Sequence, residues 1–303
     1  MTQTKNREKY RILPGNPEKM GASVTKDGCN FAIEVPDGKE AELLLYRKGQ
    51  KDPFLAVLLP EEERTGAISA VEIKGLTAGK ISYVYRIDEK IHLDPYARAV
   101  AGREKFGIPM EKITDTCRCL LPEYPAMRTT SLHRPYEETI LYKLHVRGFT
   151  RDGSSRVKSK GTFRGVVEKI PYLKELGINA VELMPSYEFF EWTSLEEPTY
   201  VYPAPAEEKR VNFWGYGTKA LYFAPKAAFS SSSDAVAEFA EMVDELHENG
   251  IECLMEFCFA PGTSAGFALQ VLHYWQLRYQ IDGFHLVGDA SLAEEVSKDA
   301  LLR

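Results

Sequence analysis

The sequence predicts a multidomain fold of α-helices and β-strands, in which an antiparallel β-sandwich precedes a series of parallel β/α units. Short runs of alternating apolar residues recur from Gly21 to about Tyr96, which is typical of sandwich strands. After Glu137, strand-like runs alternate with helical patterns, which is typical of a parallel sheet. We therefore divide the chain into an N-terminal extension (1–20), a sandwich (21–100), a proline-bearing connector (101–136) and a β/α domain (137–303).

The predicted sandwich strands are short and evenly spaced. Turn-forming triplets, Pro36-Asp37-Gly38 and Ala78-Gly79-Lys80, separate some of them. This pattern predicts an immunoglobulin-like β-sandwich. Its strands are expected at residues 30–35, 41–46, 67–73 and 81–87.

The β/α domain is predicted to contain four units. A closed TIM (β/α)8 barrel needs eight units and about 250 residues, so residues 137–303 predict the first half of such a barrel. A half-barrel leaves hydrophobic sheet edges unpaired, so we expect the natural polypeptide to continue past Arg303, with pairing of two half-barrels as the alternative. Strands are expected at 139–146, 178–184, 251–259 and 281–287, and helices at 163–176, 234–249 and 267–279.

Composition excludes several functional classes. A formal net charge of −6 argues against nucleic acid and anionic membrane as partners, because both select clustered lysine and arginine. The polar N-terminus lacks a signal-peptide core, and no apolar run is long enough to span a membrane, so we expect a cytoplasmic protein. The five cysteines are interpreted as buried thiols, and neither a metal site nor a cofactor site is predicted.

Five local strings occur in an order that indicates a family. They resemble segments of the pullulanases, isoamylases and glycogen-debranching enzymes of the α-amylase superfamily (glycoside hydrolase family 13). The first resembles part of a starch-binding-type sandwich (carbohydrate-binding module 48-like), and the other four resemble barrel segments. The strings are Leu93-Asp-Pro-Tyr-Ala-Arg-Ala, Ile140-Leu-Tyr-Lys-Leu-His-Val-Arg-Gly-Phe-Thr, Gly177-Ile-Asn-Ala-Val-Glu-Leu-Met-Pro, Asn212-Phe-Trp-Gly-Tyr-Gly and Ile281-Asp-Gly-Phe.

The residues at the positions where this family carries its catalytic groups have changed. The family's fourth-strand motif is Gly-Phe-Arg-x-Asp, with the aspartate as nucleophile, whereas this chain places His285 and Val287 at the last two named positions. Valine cannot form a glycosyl ester. Glu256 stands at the start of the altered third-strand motif, and Lys143 and Gly148 replace a first-strand glutamate and aspartate. No catalytic residue is assigned, and Asp289, two positions beyond Val287, is the weakest candidate for a displaced carboxylate.

The same resemblance implies three sugar-contacting positions, Tyr216, Trp214 and His145. Aromatic faces suit the apolar faces of glucose, although such residues are also ordinary core material. A lone histidine is likewise often a hydrogen-bonded structural residue. In the sandwich, Tyr46 and the pair Tyr83 and Tyr85 are the candidate glucan contacts, with inward packing as the alternative for that pair.

Residues 186–210 are expected to form a long loop, because the segment is aromatic, acidic and interrupted by prolines. Its aromatic residues suit a cover over the cleft, a docking site for a protein partner or local packing. They are Tyr187, Phe189, Phe190 and Trp192.

Three functional hypotheses follow. The first is a catalytically incompetent glycosidase homologue that binds α-glucan, such as glycogen, starch or maltooligosaccharide, or regulates its metabolism. The second is an active α-glucan hydrolase or debranching enzyme that uses displaced carboxylates or residues beyond Arg303. The third is a protein-interaction module that acts through the 186–210 loop.

Overall fold

A computed structural model describes residues 10–108, 117–192, 211–217 and 220–302. The chain separates into two compact units. The first unit contains residues 1–102 and 111–123, and the second contains residues 103–110 and 124–303.

The first unit contains two sheets in which all strand pairs are antiparallel. One sheet has the order β1-β6-β3-β2; the other has the order β5-β4-β7-β10-β9, with β8 also paired to β7. The strands are β1 (Ile12–Pro14), β2 (Gly21–Val24), β3 (Gly28–Glu34), β4 (Ala41–Arg47), β5 (Leu55–Leu59), β6 (Ile68–Lys74), β7 (Ile81–Ile87), β8 (Lys90–His92), β9 (Val100–Ala101) and β10 (Arg118–Leu120).

Aromatic side chains from the two sheets meet in the core of this unit. Phe31 of β3 lies 5.2 Å, centroid to centroid, from Tyr83 of β7, whose ring also contacts Tyr85 at 5.9 Å. Tyr83 and Tyr85 have no exposed surface, and Tyr46 is buried beneath the Arg118 guanidinium. None of these three tyrosines can therefore present its ring to a glucan. Tyr83 and Tyr85 pack inward, as the alternative expectation had it, and the expected exposure of Tyr46 is corrected.

The sheets take in residues that the sequence pattern leaves outside the sandwich. Ile12–Pro14, in the predicted N-terminal extension, pairs with β6, and Arg118–Leu120, in the predicted connector, pairs with β7 and β9. Both strands are only three residues long, too short to show an alternating pattern. Their pairing partners are distant in sequence, so only tertiary structure reveals them.

A buried carboxyl group lies at the centre of the first unit. Asp94 is inaccessible to solvent; its side chain accepts hydrogen bonds from the Tyr83 hydroxyl (2.7 Å) and the Tyr96 amide (2.8 Å). Burial raises the pKa of Asp94 to about 6, although these hydrogen bonds act in the opposite direction.

This raised pKa predicts a pH-dependent stability. Because the folded state holds the proton more tightly than the unfolded state, the stabilisation is complete below about pH 4 and is lost as pH rises through about 6. We expect Asp94 to reduce the free energy of unfolding by about 2 kcal/mol between about pH 4 and pH 6. Calorimetric unfolding across this range should show that the fall in the free energy of unfolding due to Asp94 disappears in Asp94→Asn. It should persist in the exposed control Asp37→Asn. Equal pH dependence in the wild-type protein and both variants would exclude a contribution from Asp94.

The second unit is built on a four-stranded parallel sheet with the order β11-β12-β15-β16. A separate antiparallel pair joins β13 and β14. The strands are β11 (Leu141–Leu144), β12 (Ala180–Leu183), β13 (Tyr187–Phe189), β14 (Ala220–Pro225), β15 (Glu252–Cys258) and β16 (Gly283–Val287). The described helices are α1 (Val146–Arg151), α2 (Phe163–Val167), α3 (Ile170–Glu175), α4 (Ala235–Glu248), α5 (Ala265–Tyr279) and α6 (Ala290–Val296).

One face of this parallel sheet is covered by helices. Phe257 of β15 contacts Trp275 of α5, and Trp275 contacts Phe239 of α4 at 5.0 Å between ring centroids. Adjacent strand residues point to opposite faces, so Glu256 and its neighbours across the sheet face the other way. That second face carries the candidate site.

Two predicted elements differ from the structure. The strand expected over 139–146 ends at Leu144, because His145 is the N-cap of α1, where its side chain accepts a hydrogen bond from the Gly148 amide. The single helix expected over 163–176 is divided into α2 and α3. Pro171 has no amide hydrogen and its ring would clash with the Val167 carbonyl, so a continuous helix cannot form there.

The predicted loop over 186–210 begins with a strand. Tyr187–Phe189 pairs with β14, and both Tyr187 and Phe189 are buried, so these two rings belong to the core rather than covering the cleft. Trp192 is half-buried and its indole nitrogen donates to the Gly107 carbonyl. Residues 193–210, and with them most of the proposed partner-docking loop, lie outside the described residues.

Other predictions are confirmed. The helix predicted between Asp234 and Asn249 is α4, and Asp234 caps it through the Ala237 amide. All five cysteines are buried free thiols.

Among the described residues, no helix is long and apolar enough to cross a membrane.

Candidate functional site

Four ionisable side chains lie on the face of the parallel sheet away from the helices. Lys143 pairs in register with Glu182, and Glu256 pairs with His285. Glu182 is opposite Leu254, two residues before Glu256, so all four side chains point to the same face. We call Lys143, Glu182, Glu256 and His285 the charged cluster.

Ion pairs connect the members of the charged cluster. The Lys143 ammonium lies 3.0 Å from Glu182 Oε1 and also pairs with Glu256 Oε2. His285 Nδ1 lies 2.8 Å from Glu182 Oε1 and 3.9 Å from Glu256 Oε2. The two glutamates are buried, whereas Lys143 and His285 are partly exposed. Solvent therefore reaches the cluster on the side of Lys143 and His285.

These contacts determine the protonation states. Burial opposes ionisation of Glu182, but hydrogen bonds from His285 and Lys143 outweigh it and hold the pKa of Glu182 below its ordinary value. Burial also opposes the charge on Lys143, yet its hydrogen bonds to Glu256 and Glu182 keep the pKa of Lys143 above its ordinary value. These two shifts favour an ionised Glu182 paired with a protonated Lys143.

The same residues resemble a set of metal ligands. Donor atoms of Glu182, Glu256 and His285 lie within 4.8 Å of one another, and Glu256 Oε1 has no hydrogen-bond partner among the described residues. Two carboxylates and an imidazole suit a divalent transition metal. However, Lys143 already pairs with both carboxylates, so a metal ion would have to displace an ammonium group. The arrangement fits a self-neutralised ion cluster better than a metal centre.

Val287, which the sequence resemblance aligns with the family nucleophile, lies one layer beyond the charged cluster. It is two residues after His285 on β16, half-buried, and pairs with Cys258 of β15. Asp289 is committed elsewhere, because its carboxylate caps α6 by accepting hydrogen bonds from the Ser291 and Leu292 amides. A hydrogen bond from the Ser291 hydroxyl, together with these amide bonds, lowers the pKa of Asp289.

His145 is held inside the second unit by both ring nitrogens. Nδ1 accepts from the Gly148 amide (2.9 Å), and Nε2 lies 2.8 Å from the Phe213 carbonyl, so Nε2 carries the proton. Burial lowers the pKa of His145 to about 4, so the ring is neutral at physiological pH. With both nitrogens engaged, His145 serves as a structural cap and a stacking partner of Phe213.

The segment 211–217 places two aromatic rings near the charged cluster in different ways. Trp214 is 51% exposed and rests edge-on against His145 and Phe213. Tyr216 is half-buried, and burial together with a hydrogen bond to Glu256 raises the pKa of its phenol. Trp214 therefore offers an open ring face to a ligand, while Tyr216 is tied to the cluster.

Comparison with known proteins places the chain in a family. No family model matches the sequence. Isoamylase 1 of Arabidopsis thaliana chloroplasts is 34% identical over 278 residues, which are 82% of this chain and 35% of that protein. Isoamylase SU1 of Zea mays chloroplasts is 31% identical over 84% of this chain and 35% of its own length. This chain belongs to the family of the isoamylases and glycogen-debranching-like proteins.

Further relatives and solved structures agree with this assignment. The glycogen operon protein GlgX homologue of Haemophilus influenzae is 27% identical over 81% of this chain. The catalytic module of the pneumococcal glycogen-degrading virulence factor SpuA matches 92% of this chain and 48% of its own with a TM-score of 0.70 at 20% identity. The pullulanase from Bacillus acidopullulyticus matches 89% of this chain and 38% of its own with a TM-score of 0.68 at 20% identity. The isoamylase-like chain spans about a third of the length of the plant relatives.

A second ion network lies wholly inside this isoamylase-like chain. Arg103 and Lys226 both contact Glu188 and Glu191, at 2.6 Å from the guanidinium and 2.7 Å from the ammonium. All four side chains are at most 3% exposed. Burial opposes ionisation of Glu188, but Lys226 and Arg103 hold the pKa of Glu188 below its ordinary value. This network holds residues 188–191 in place, which include the end of β13 and the two residues after it.

Sequence reasoning missed the importance of Lys143 and Glu182. It treated Lys143 only as a lost family acid and assigned no role to Glu182. The available signal was a single ionisable residue inside each of two otherwise largely apolar strands, Leu-Tyr-Lys143-Leu and Ala-Val-Glu182-Leu. A buried charge normally has a partner, so these two unexplained charges predicted an ion pair between Lys143 and Glu182.

Proposed function

We propose that this chain binds α-glucan and does not cleave it. The observation that carries the proposal is Val287, a half-buried aliphatic side chain where the family places its nucleophile. A retaining glycosidase needs two carboxyl groups about 5–5.5 Å apart on either side of the bond that is cut. At the level of Val287, the neighbouring side chain across the sheet is the Cys258 thiol, which lacks that chemistry.

The carboxylates that are present support the same proposal. Glu182 and Glu256 lie one layer deeper in the sheet than Val287, and Lys143 pairs with one oxygen of each. A nucleophile must approach the anomeric carbon directly, and both of these carboxylates are buried. Asp289, the remaining candidate, is occupied as a helix cap.

Glucan recognition is assigned to the aromatic segment beside the cluster. Trp214 is the exposed ring there, and Tyr216 stands two residues further on. Pyranose rings stack through their C–H faces on such side chains. The family resemblance, together with relatives described as a glycogen operon protein and a glycogen-degrading virulence factor, supports α-1,4/1,6-linked glucans such as glycogen or starch as the ligand class.

The architecture completes the proposal. We assign the four parallel strands to the first half of a (β/α)8 barrel and the first unit to an immunoglobulin-like sandwich. A cytoplasmic location and docking of a protein partner through residues 186–210 remain predictions.

Absence of cleavage is tested by measuring reducing ends released from pullulan, amylopectin and maltooligosaccharides. We expect the full chain to release no more than a buffer blank because, in the described part of the chain, Val287 supplies no carboxyl group and Asp289 is occupied as a helix cap. Release above the blank that is lost in Asp289→Asn would contradict the proposal and assign the nucleophile to Asp289. Release that persists in Asp289→Asn would contradict it equally and direct the search to Glu256.

A further inference from the structure

A group of positive side chains borders the aromatic segment of the proposed glucan site. Arg147 and Arg151 lie one turn apart on α1, and Lys160 lies on the loop that follows it. We call these three residues the basic cluster. It is a local excess of positive charge, since the whole chain has a formal net charge of −6.

The two arginines and the lysine converge on two glycines. A methyl group on Gly161 would lie 3.3 Å from Arg147 Cγ and 3.5 Å from Arg151 Cδ, so both arginine stems pass over this residue. A methyl group on Gly153 would lie 4.0 Å from Lys160 Nζ, which places the ammonium over the short turn after α1. Gly161 has a φ of +75°, a conformation that side-chain-bearing residues rarely adopt.

No carboxylate in the described residues forms an ion pair with any member of the basic cluster. The carboxylate of Asp152 accepts a hydrogen bond from the Ser154 amide, and the charge of Lys160 makes a smaller contribution to the lowered pKa of Asp152. Arg164 and Lys226, two other nearby cations, each have a glutamate partner in the same unit. The basic cluster therefore differs from the other positive groups around it.

This arrangement is unfavourable without a ligand. Like charges four residues apart on a helix repel each other. Arg147 is also half-buried, and burial together with the charge of Arg151 lowers the pKa of Arg147, which Glu191 only partly offsets. Among the described residues, its guanidinium carbon lies 4.7 Å from the centre of the Phe106 ring. An anion at this position would relieve the repulsion.

The basic cluster adjoins the aromatic surface proposed to bind sugar. Phe106 contacts Phe213 at 5.8 Å, and Phe213 contacts the exposed Trp214 at 5.1 Å, so an unbroken row of rings leads from Arg147 to Trp214. A glucan chain long enough to span this row of rings would contact both the exposed indole and the positive charges. Guanidinium groups form bidentate, charge-assisted hydrogen bonds with phosphate oxygens.

We infer that the site prefers α-glucan chains that carry phosphate monoesters, with the sugar on Trp214 and the phosphate on Arg147, Arg151 and Lys160. This inference rests on the proposed function and adds the anionic character of the ligand. The net negative charge elsewhere on the chain makes the attraction local rather than a general affinity for polyanions.

The test uses one amylopectin preparation bearing phosphate esters, half of it treated with phosphatase, in affinity electrophoresis of the full chain at low salt. We expect the untreated polymer to bind about tenfold more tightly, as two or three charge-assisted contacts would give. The double variant Arg151→Gln/Lys160→Gln should lose that difference. Lys174→Gln/Lys298→Gln, which removes the same charge from exposed sites elsewhere, should keep it.

Three outcomes would overturn the inference. Equal retardation by treated and untreated polymer would exclude the phosphate preference and leave glucan binding intact. If both double variants lost the difference in binding between untreated and treated polymer to the same extent, the preference would be a general effect of charge. No retardation by either polymer would overturn the proposed function together with this inference.

Discussion

Replacing Lys226 with methionine is expected to lower the free energy of unfolding of the second unit by about 3–5 kcal/mol. The Lys226 ammonium is fully buried and donates to Glu188 Oε1 and Glu191 Oε1, both at 2.7 Å, and to the Phe189 carbonyl at 2.9 Å. Methionine preserves the length of the side chain but leaves two buried carboxylates facing one guanidinium. Breaking a buried ion network in this way costs more than the network itself contributes.

Tryptophan fluorescence during urea unfolding isolates this effect. The chain has three tryptophans, Trp192, Trp214 and Trp275, and all of them lie in the second unit. The matched control is Lys158→Met at an exposed position, for which we expect a change within about 0.5 kcal/mol. A Lys226→Met protein as stable as this control would show that the buried network does not hold the 188–191 segment.

Acidification is expected to destabilise the second unit through His145. The folded-state pKa of His145 is lowered to about 4 because the ring is buried, whereas the unfolded ring titrates near its ordinary value. The stabilisation from the neutral ring is complete above about pH 6.5 and is lost as pH falls through 4. Between about pH 7.5 and pH 4.5, this one group should reduce the free energy of unfolding by about 2–3 kcal/mol.

The variant His145→Asn separates this contribution from other titrating groups. Asparagine can still cap α1 but does not titrate, so the part of the pH slope due to His145 should vanish while the neutral-pH stability falls. His133 is an exposed histidine with a φ of +52°, which asparagine tolerates, so His133→Asn is the control that should keep the slope. Parallel pH profiles for the wild-type protein and His145→Asn would rule out the buried neutral histidine.

Elements with a strong local pattern could be predicted from the sequence. The strand β7 has the predicted bounds of 81–87, because its apolar and aromatic residues lie between turn residues. The helix α4 begins after the predicted cap at Asp234 and ends before the predicted stop at Asn249. The division of the predicted helix at Pro171 was also readable in principle, since proline inside a helical pattern ends or bends the helix.

The candidate site was harder to predict because it depends on register across strands. The resemblance identified Val287, Glu256 and His285 as altered positions, but not that Glu256 would pair with Lys143 or that His285 would pair with Glu182. Those contacts follow from the two-residue offset between Glu182 and Glu256, which the sequence of either strand alone does not contain. The exposure of Trp214 and the enclosure of His145 likewise depend on how segment 211–217 packs.

Affinity electrophoresis of the full chain and of Trp214→Ala through gels containing glycogen, pullulan or dextran tests glucan binding most directly. We predict that glycogen and pullulan retard the wild-type chain and that dextran does not, because the proposed ligand is α-1,4-linked glucan. Loss of the exposed indole should weaken binding by about tenfold, equivalent to roughly 1.4 kcal/mol of stacking. Migration of the wild-type chain unaffected by glycogen and pullulan would contradict glucan binding and favour a role in protein interaction.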